Sequence, residues 1–410
     1  MTPTQKNSGM SSKQAPSIDD LRRLYKARAP RMFYDYCDTG SYSTGTFIEN
    51  TTAFEKYKLR QRVAVNIDNR SLKTNMVGQM ASMPVALAPI GSLGMQHGDG
   101  EILSARAAQK FGVPFTLSTM SICSLEEVAK HVDQPFWFQL YVMRDRGFST
   151  ALVARAKAAK CSALVLTLDL QILGQRHKDV KNGLSSPPKL TLPNIINMMT
   201  KPSWCMSMLG TKNRQFGNIV GHAKDVKDIA SLNEWANHQF DQTLDWSSVD
   251  FIRKQWGGKL ILKGINDVED AIIASKLGAD AIIVSNHGGR QLDGTFATID
   301  MLAPIVDAVG DTIEVYFDSG IRSGIDVMKA MALGAKGTFI GRAYVYGLGA
   351  GGEAGVTTAL EIISKELDTT MALCGERDIK NVGRHNIVMP VASHVMPSFN
   401  AAAKPRRAKR

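Results

Sequence analysis

The chain has 410 residues, 44% hydrophobic and 21% charged, so it can bury a large core and is not a disordered chain. Its net charge is +11, but the last seven residues, KPRRAKR, carry five of the positive charges, and no nucleic-acid motif accompanies them. Five scattered cysteines without a C-x-x-C pair argue against a disulfide framework and for a reducing, cytoplasmic compartment.

In chain order, residues 1–17 are polar, lack the apolar core of a signal peptide, and are expected to be disordered. Residues 18–40 read as a helical approach with Leu21, Leu24, Tyr25, Met32 and Phe33 as apolar positions. Short apolar runs then recur at 84–90 (PVALAPI), 114–118 (PFTLS), 136–141 (FWFQLY) and 163–169 (ALVLTLD). They resume at 259–264 (KLILKG), 281–285 (AIIVS), 313–318 (IEVYFD) and 338–341 (TFIG). Runs of this length fit strands buried on both faces, with helix-like stretches between them. Eight such strands imply an α/β fold, a single (β/α)8 barrel over residues 18–390, followed by a basic tail at 391–410.

The long gap after the fourth run, about residues 175–249, reads as an insertion. Its Met-rich segment IINMMTKPSWCMSMLG and the basic Lys212 and Arg214 fit a membrane-surface segment and a segment packed over the barrel equally well. The basic tail reads as a solvated end or a weak attachment to an anionic membrane surface. No run of about 18 apolar residues is present to span a membrane. Residues 358–373 read as a closing helix. The segment GLGAGG at 347–352 matches G-x-G-x-x-G, but a helical pattern follows it and no second strand, so a dinucleotide-binding reading fails.

Barrels of this type build their sites at the C-terminal strand ends, here Ser118, Gln139, Tyr141, Thr167, Asp169, Lys263, Ser285, Asp318 and Gly341. In SNHGGRQLD (285–293), His287 can exchange a proton near neutral pH, and Arg290 can hold a carboxylate through two parallel hydrogen bonds. Gly288 and Gly289 permit a tight turn and close ligand approach. Asp169 can orient His287, with Arg176 as a second cation, or Asp169 and Arg176 can form a structural pair. Lys263 can stabilise negative charge on a cofactor ring, form a Schiff base, or simply pair with a carboxylate. DSGIRSG (318–324) and FIGRA (339–343) place Arg322 and Arg342 on glycine turns, with backbone N–H groups free for a phosphate.

The motifs PRMFYDYCDTG, SMPVALAPIG, FTLSTMS, WFQLYV, LTLD, ILKGI, VSNHGGRQLDG, DSGIRSG and FIGRA occur in this order. Together they resemble the FMN-dependent 2-hydroxy acid dehydrogenase and oxidase family, and within it the bacterial L-lactate dehydrogenases. The resemblance implies FMN as cofactor and oxidation of an L-2-hydroxy acid, L-lactate to pyruvate, with electrons passing to a quinone or cytochrome. It makes His287 the base and Asp169 its partner, with Tyr36, Arg176 and Arg290 on the substrate carboxylate and Tyr141 near its hydroxyl. Lys263 would sit at the flavin N1–O2 edge, and Pro89, Ile90, Gly91, Ser118, Gln139 and Thr167 around the ring. Ser285, Asp318, Gly320, Arg322, Gly341 and Arg342 would hold the ribityl and phosphate end. Gly91, Met120 and the loop at Leu170–Gln171–Ile172 would border the substrate side chain. That loop departs from the Thr-Pro-Arg or Met-Pro of many members, and Gly91 stands where glycolate oxidase has alanine. The family also implies a homotetramer, the Met-rich insertion with the basic tail suggests a peripheral place at the inner face of the cell membrane, and no haem domain is expected before the barrel. The alternatives are an oxidase passing electrons to O₂ with peroxide release, and a non-catalytic barrel binding a phosphorylated ligand.

Overall fold

The computed structural model describes residues 11–184, 191–223 and 240–388, so the basic tail and parts of the insertion lie outside the described residues. The barrel strands are β1 (Val85–Leu87), β2 (Thr116–Ser118), β3 (Trp137–Leu140), β4 (Ala163–Thr167), β5 (Lys259–Ile265), β6 (Ala281–Val284), β7 (Glu314–Phe317) and β8 (Gly337–Ile340). They coincide with the eight apolar runs. Each pairs in parallel with its sequence neighbour from β2 to β8, β8 pairs with β1, and a single bridge between Leu87 and Phe115 closes the ring.

Successive side chains of a strand point to opposite faces, and the two apolar layers follow that period. Ala163 and Val165 of β4 fill the barrel interior with Ile261, Ala281, Ile283, Tyr316, Phe339 and Trp137. Leu164 and Leu166 face outward into the helical layer, as do Ile282 and Val284. Continuing the inward row past the apolar positions reaches Gln139, Thr167, Lys263, Ser285 and Asp318. The strand period alone therefore stacks the polar strand ends over a dry interior.

A hairpin that the apolar pattern does not reveal, Thr74–Met76 paired with Gln79–Ala81, plugs the opposite end of the barrel. Its two-residue turn has positive φ at both Val77 (50°) and Gly78 (81°), as a tight hairpin requires. The Val77 amide donates to Tyr316 Oη at 2.9 Å.

The helical approach is two helices, Ile18–Arg28 and Arg31–Cys37, because extended Ala29 and Pro30 interrupt it. Residues 11–17, expected to be disordered with the rest of the N-terminus, instead include a 3₁₀ turn, Ser12–Gln14, whose Ser12 is buried. The closing helix starts earlier than residue 358: it runs from Arg342 to Leu373 with a break at Gly351 and Gly352. The GLGAGG segment thus serves packing. A Cβ at Gly347 would lie 2.3 Å from the Gly355 carbonyl oxygen, and one at Gly349 would lie 1.9 Å from the Tyr25 ring.

The insertion carries helices Leu192–Met199 and Pro202–Gly210, and it ends sooner than residue 249, because a barrel helix already starts at Trp246. One side packs on the barrel top: Trp204 stacks on Phe33 at 5.4 Å and donates to the Met95 carbonyl at 2.9 Å. The other side leaves Leu192, Ile196, Met199, Met206 and Leu209 exposed. No helix among the described residues is long and apolar enough to cross a membrane.

Candidate active site

A cavity of about 720 Å³ opens at the C-terminal end of the barrel. Its lining includes Tyr36, Pro89, Ile90, Gly91, Met120, Tyr141, Arg176, Lys263, His287, Arg290, Asp318, Gly320, Arg322, Gly341 and Arg342. Ser118, Gln139, Thr167, Asp169 and Ser285 are not in the lining and stand behind it.

Lys263 is buried, and its Nζ donates to Ser285 Oγ at 2.8 Å and lies 3.2 Å from Asp318 Oδ2. Burial works against its charge, but Asp318 and Asp169 outweigh burial and raise its pKa, so it stays an ammonium. A neutral, nucleophilic amine is what a Schiff base needs, and this environment opposes it. Nearby, Gln139 Nε2 and Thr167 Oγ1 are buried without a hydrogen-bond partner among the described residues. A buried polar atom left unpaired costs about 1–3 kcal/mol, so two at one end of the barrel point to a polar ligand.

His287, Gly288 and Gly289 all have positive φ, at 58°, 66° and 71°. Three left-handed residues in succession turn the chain back over the barrel. The two glycines admit protein as much as ligand: a Cβ at Gly288 would lie 2.5 Å from Arg342 Nη1, and one at Gly289 would lie 2.5 Å from the Phe47 amide nitrogen. The turn brings His287 Nδ1 to 2.9 Å from Asp169 Oδ1, which leaves Nε2 as the nitrogen free to exchange a proton. Burial would raise the Asp169 pKa, but His287 and Lys263 lower it overall and keep the carboxylate ionised. Gly264 (φ 96°) makes room for it, since a Cβ there would lie 2.6 Å from Asp169 Cγ.

The open choice for Asp169 is resolved: it takes His287, and Arg176 pairs with Asp179 at 2.6 Å. Arg290 and Arg176 lie 4.6 and 5.7 Å from the Tyr36 ring centroid, and Arg290 also donates to the Tyr36 carbonyl. Burial and the neighbouring Arg176 lower the Arg290 pKa, the mark of two cations gathered without enough anion. Tyr141 is pushed up by burial and by Asp169, so it remains a phenol that can donate. A Cβ on Gly91 would lie 3.3 Å from Met120 Cβ and 3.7 Å from Tyr36 Oη.

At the far end, Arg342 donates to the carbonyls of Cys37 and Thr39, both at 2.7 Å. Burial and the nearby Arg322 push its pKa down to about 9, as expected of an anion site. Three amides of the glycine turn are already used. The amides of Arg322 and Ser323 already donate to Asp326 Oδ2 at 2.9 and 3.0 Å, and that of Gly324 to Glu366 Oε2 at 2.8 Å. Arg322 and Arg342 bring two guanidinium groups to this end of the cavity.

Residues 25–389 match the family model described as FMN-dependent dehydrogenase. The chain belongs to that family. Its similar proteins include an "L-lactate dehydrogenase" of Pseudomonas syringae pv. syringae (strain B728a), 44% identical over 379 residues, 92% of this chain and 99% of that one. An "L-lactate dehydrogenase" of Caulobacter vibrioides (strain NA1000 / CB15N) is 43% identical over 368 residues, 89% of this chain and 96% of that one. Among solved structures, a "monotopic membrane protein (S)-mandelate dehydrogenase" superposes with TM-score 0.87 at 33% identity, covering 92% of this chain and 99% of that one. A mandelate oxidase superposes with TM-score 0.79 at 33% identity, covering 91% and 98%.

As a member of the FMN-dependent dehydrogenases, the chain uses FMN, and its residues fit the group. Gln139 Nε2 and Thr167 Oγ1, unpaired among the described residues, suit a ring edge that carries donors and acceptors. Lys263 would supply a buried cation, and Arg322 and Arg342 would supply charge for a phosphate. Sequence reasoning missed Phe33, Ser319, Phe216 and Phe240 in the lining, and Asp179 behind it. Of these, Ser319 lay inside the DSGIRSG motif, Phe33 was an apolar position of the helical approach, and Asp179 stands three residues after Arg176.

Proposed function

We propose that the protein oxidises an L-2-hydroxy acid to the 2-oxo acid, with L-lactate as substrate and pyruvate as product. The observation that carries this reading is the His287–Asp169 pair facing the same cavity as Arg176, Arg290 and Tyr36. Two arginines beside a tyrosine suit a carboxylate, and a histidine with Nε2 free suits a neighbouring hydroxyl. Arg290 and Arg176 bind the carboxylate with Tyr36, and Tyr141 donates to the hydroxyl oxygen. His287 Nε2 takes a proton from the substrate, and Asp169 stabilises the imidazolium that results. Bound FMN supplies the two-electron acceptor. Lys263 would set positive charge at the ring, and Arg322 and Arg342 would hold the phosphate. The choice of L-lactate rests on relatives of that name at 43–44% identity, against mandelate enzymes at 33%.

Electrons leave to a quinone or cytochrome, with the protein peripheral at the inner face of the membrane. The exposed Leu192, Ile196, Met199, Met206 and Leu209 support this, as does the monotopic description of one structural neighbour. Release to O₂ is the second reading, because a mandelate oxidase is also a structural neighbour. The test is anaerobic flavin bleaching with L-lactate, glycolate, L-mandelate and a longer 2-hydroxy acid. L-lactate should give the highest kcat/KM. Preference for mandelate refutes the substrate, and bleaching by none refutes the reaction. In air, stoichiometric peroxide favours the oxidase reading.

A further inference from the structure

The returning limb of the insertion, residues 216–219, is locked under the loop that follows β2. Asn218 is fully buried and uses its whole side chain there. Its Oδ1 accepts from the Leu125 amide at 2.8 Å. Its Nδ2 donates to Ser121 Oγ at 2.9 Å and, at 3.3 and 3.4 Å, to the carbonyls of Ser118 and Thr119. Gly217 permits the approach, since a Cβ there would lie 2.7 Å from the Ser124 amide nitrogen. Phe216, one residue further back, lines the cavity.

The loop held by Asn218 in turn fixes Gln139. Ser118 Oγ and the Thr119 amide donate to Gln139 Oε1 at 3.1 and 3.3 Å. Thr119 Oγ1 donates to the Gln139 carbonyl at 2.7 Å and accepts from the Tyr141 amide at 3.2 Å. With Oε1 committed as an acceptor, the amide cannot flip, and Nε2 must be the group left to donate. That nitrogen is buried and, among the described residues, has no hydrogen-bond partner.

We infer that Asn218 is a positioning residue: through Ser118 and Thr119 it lets the insertion set the hydrogen-bond donor that Gln139 presents to the flavin. The inference rests on FMN occupying the cavity beside Gln139. A donor aimed at the ring favours the reduced, more negative flavin, so loosening it lowers the midpoint potential. Loss of Asn218 acts at second hand, and a tenfold weaker preference for the reduced form corresponds to about 30 mV for a two-electron couple.

The experiment compares the wild-type holoenzyme with Asn218→Asp, which keeps the shape and Oδ1 but removes both donors, and with Asn218→Ala. The readouts are midpoint potential, the FMN Kd of reconstituted apoprotein, and thermal midpoint. A fall of about tenfold in the reduction equilibrium is expected in either variant that folds. In a Gln139→Met background the same Asn218 substitution should add no further shift, because contributions through one shared group do not add. An unchanged potential with FMN bound overturns the inference, as does an undiminished shift in the Gln139→Met background. Failure of the wild-type protein to bind FMN would instead overturn the cofactor placement.

Discussion

Replacing Asp169 by asparagine removes one negative charge and almost no volume. The carboxylate is largely buried, 2.9 Å from His287 Nδ1, and its other oxygen is unpartnered among the described residues. With charge centres about 4 Å apart and an effective dielectric of about 20, the attraction between the carboxylate and an imidazolium is about 4 kcal/mol. The transferred substrate proton gives the carboxylate a full imidazolium partner, so loss of this attraction falls on the barrier. At 1.36 kcal/mol per factor of ten, flavin reduction should slow about 10³-fold. Asp169 does not line the cavity, so the FMN Kd should change little. Anaerobic stopped-flow flavin bleaching measures the rate, and fluorescence of reconstituted apoprotein measures FMN affinity. A rate within tenfold of wild type, with FMN fully bound, would refute the electrostatic role.

Gly264→Ala places a methyl group 2.6 Å from Asp169 Cγ at a φ of 96°. It should lower stability by at least about 1–2 kcal/mol and slow flavin reduction as well; an unchanged thermal midpoint and rate would contradict the geometry. Arg290→Lys keeps the charge but loses the planar fork, so KM for the hydroxy acid should rise at least tenfold. Steady-state kinetics with unchanged KM would remove Arg290 from carboxylate binding. Glu126, held down to about 2 from an ordinary 4.5 chiefly by its hydrogen bonds with Arg155, contributes stability that is fully present above pH 4.5 and is lost as pH falls towards 2. The stability difference between wild type and Glu126→Gln should therefore shrink below pH 5 in denaturant titrations. A difference that grows there would reverse the sign.

The barrel was legible because its strands are continuous apolar runs, and the period of two then fixes which strand ends face inward. Gln139, Thr167, Lys263, Ser285 and Asp318 follow from that rule once the strands are placed. SNHGGRQLD was legible as a turn and Asp169 as one candidate partner for His287, but the residues alone did not decide between His287 and Arg176: Asp169 lies 118 residues away, and the left-handed run at His287 brings the two together. Phe240 and Asn218 could not be read, since each reaches the site through an insertion whose periodicity is weak. The hairpin at Val77–Gly78 was overlooked because its strands are three residues each, too short for an alternating pattern. In the glycine turn at 318–324 the C-terminal amides are already used. Ser323 and Asp326 form a capping box visible in the sequence, and that box takes amides an anion would otherwise use.

The most direct test of the account is anaerobic stopped-flow mixing of L-lactate with wild-type protein and with His287→Gln. Wild type should bleach rapidly, and the variant should stay yellow while retaining its full complement of FMN. Bleaching of the variant at a near-normal rate would contradict the assignment of His287 as the base.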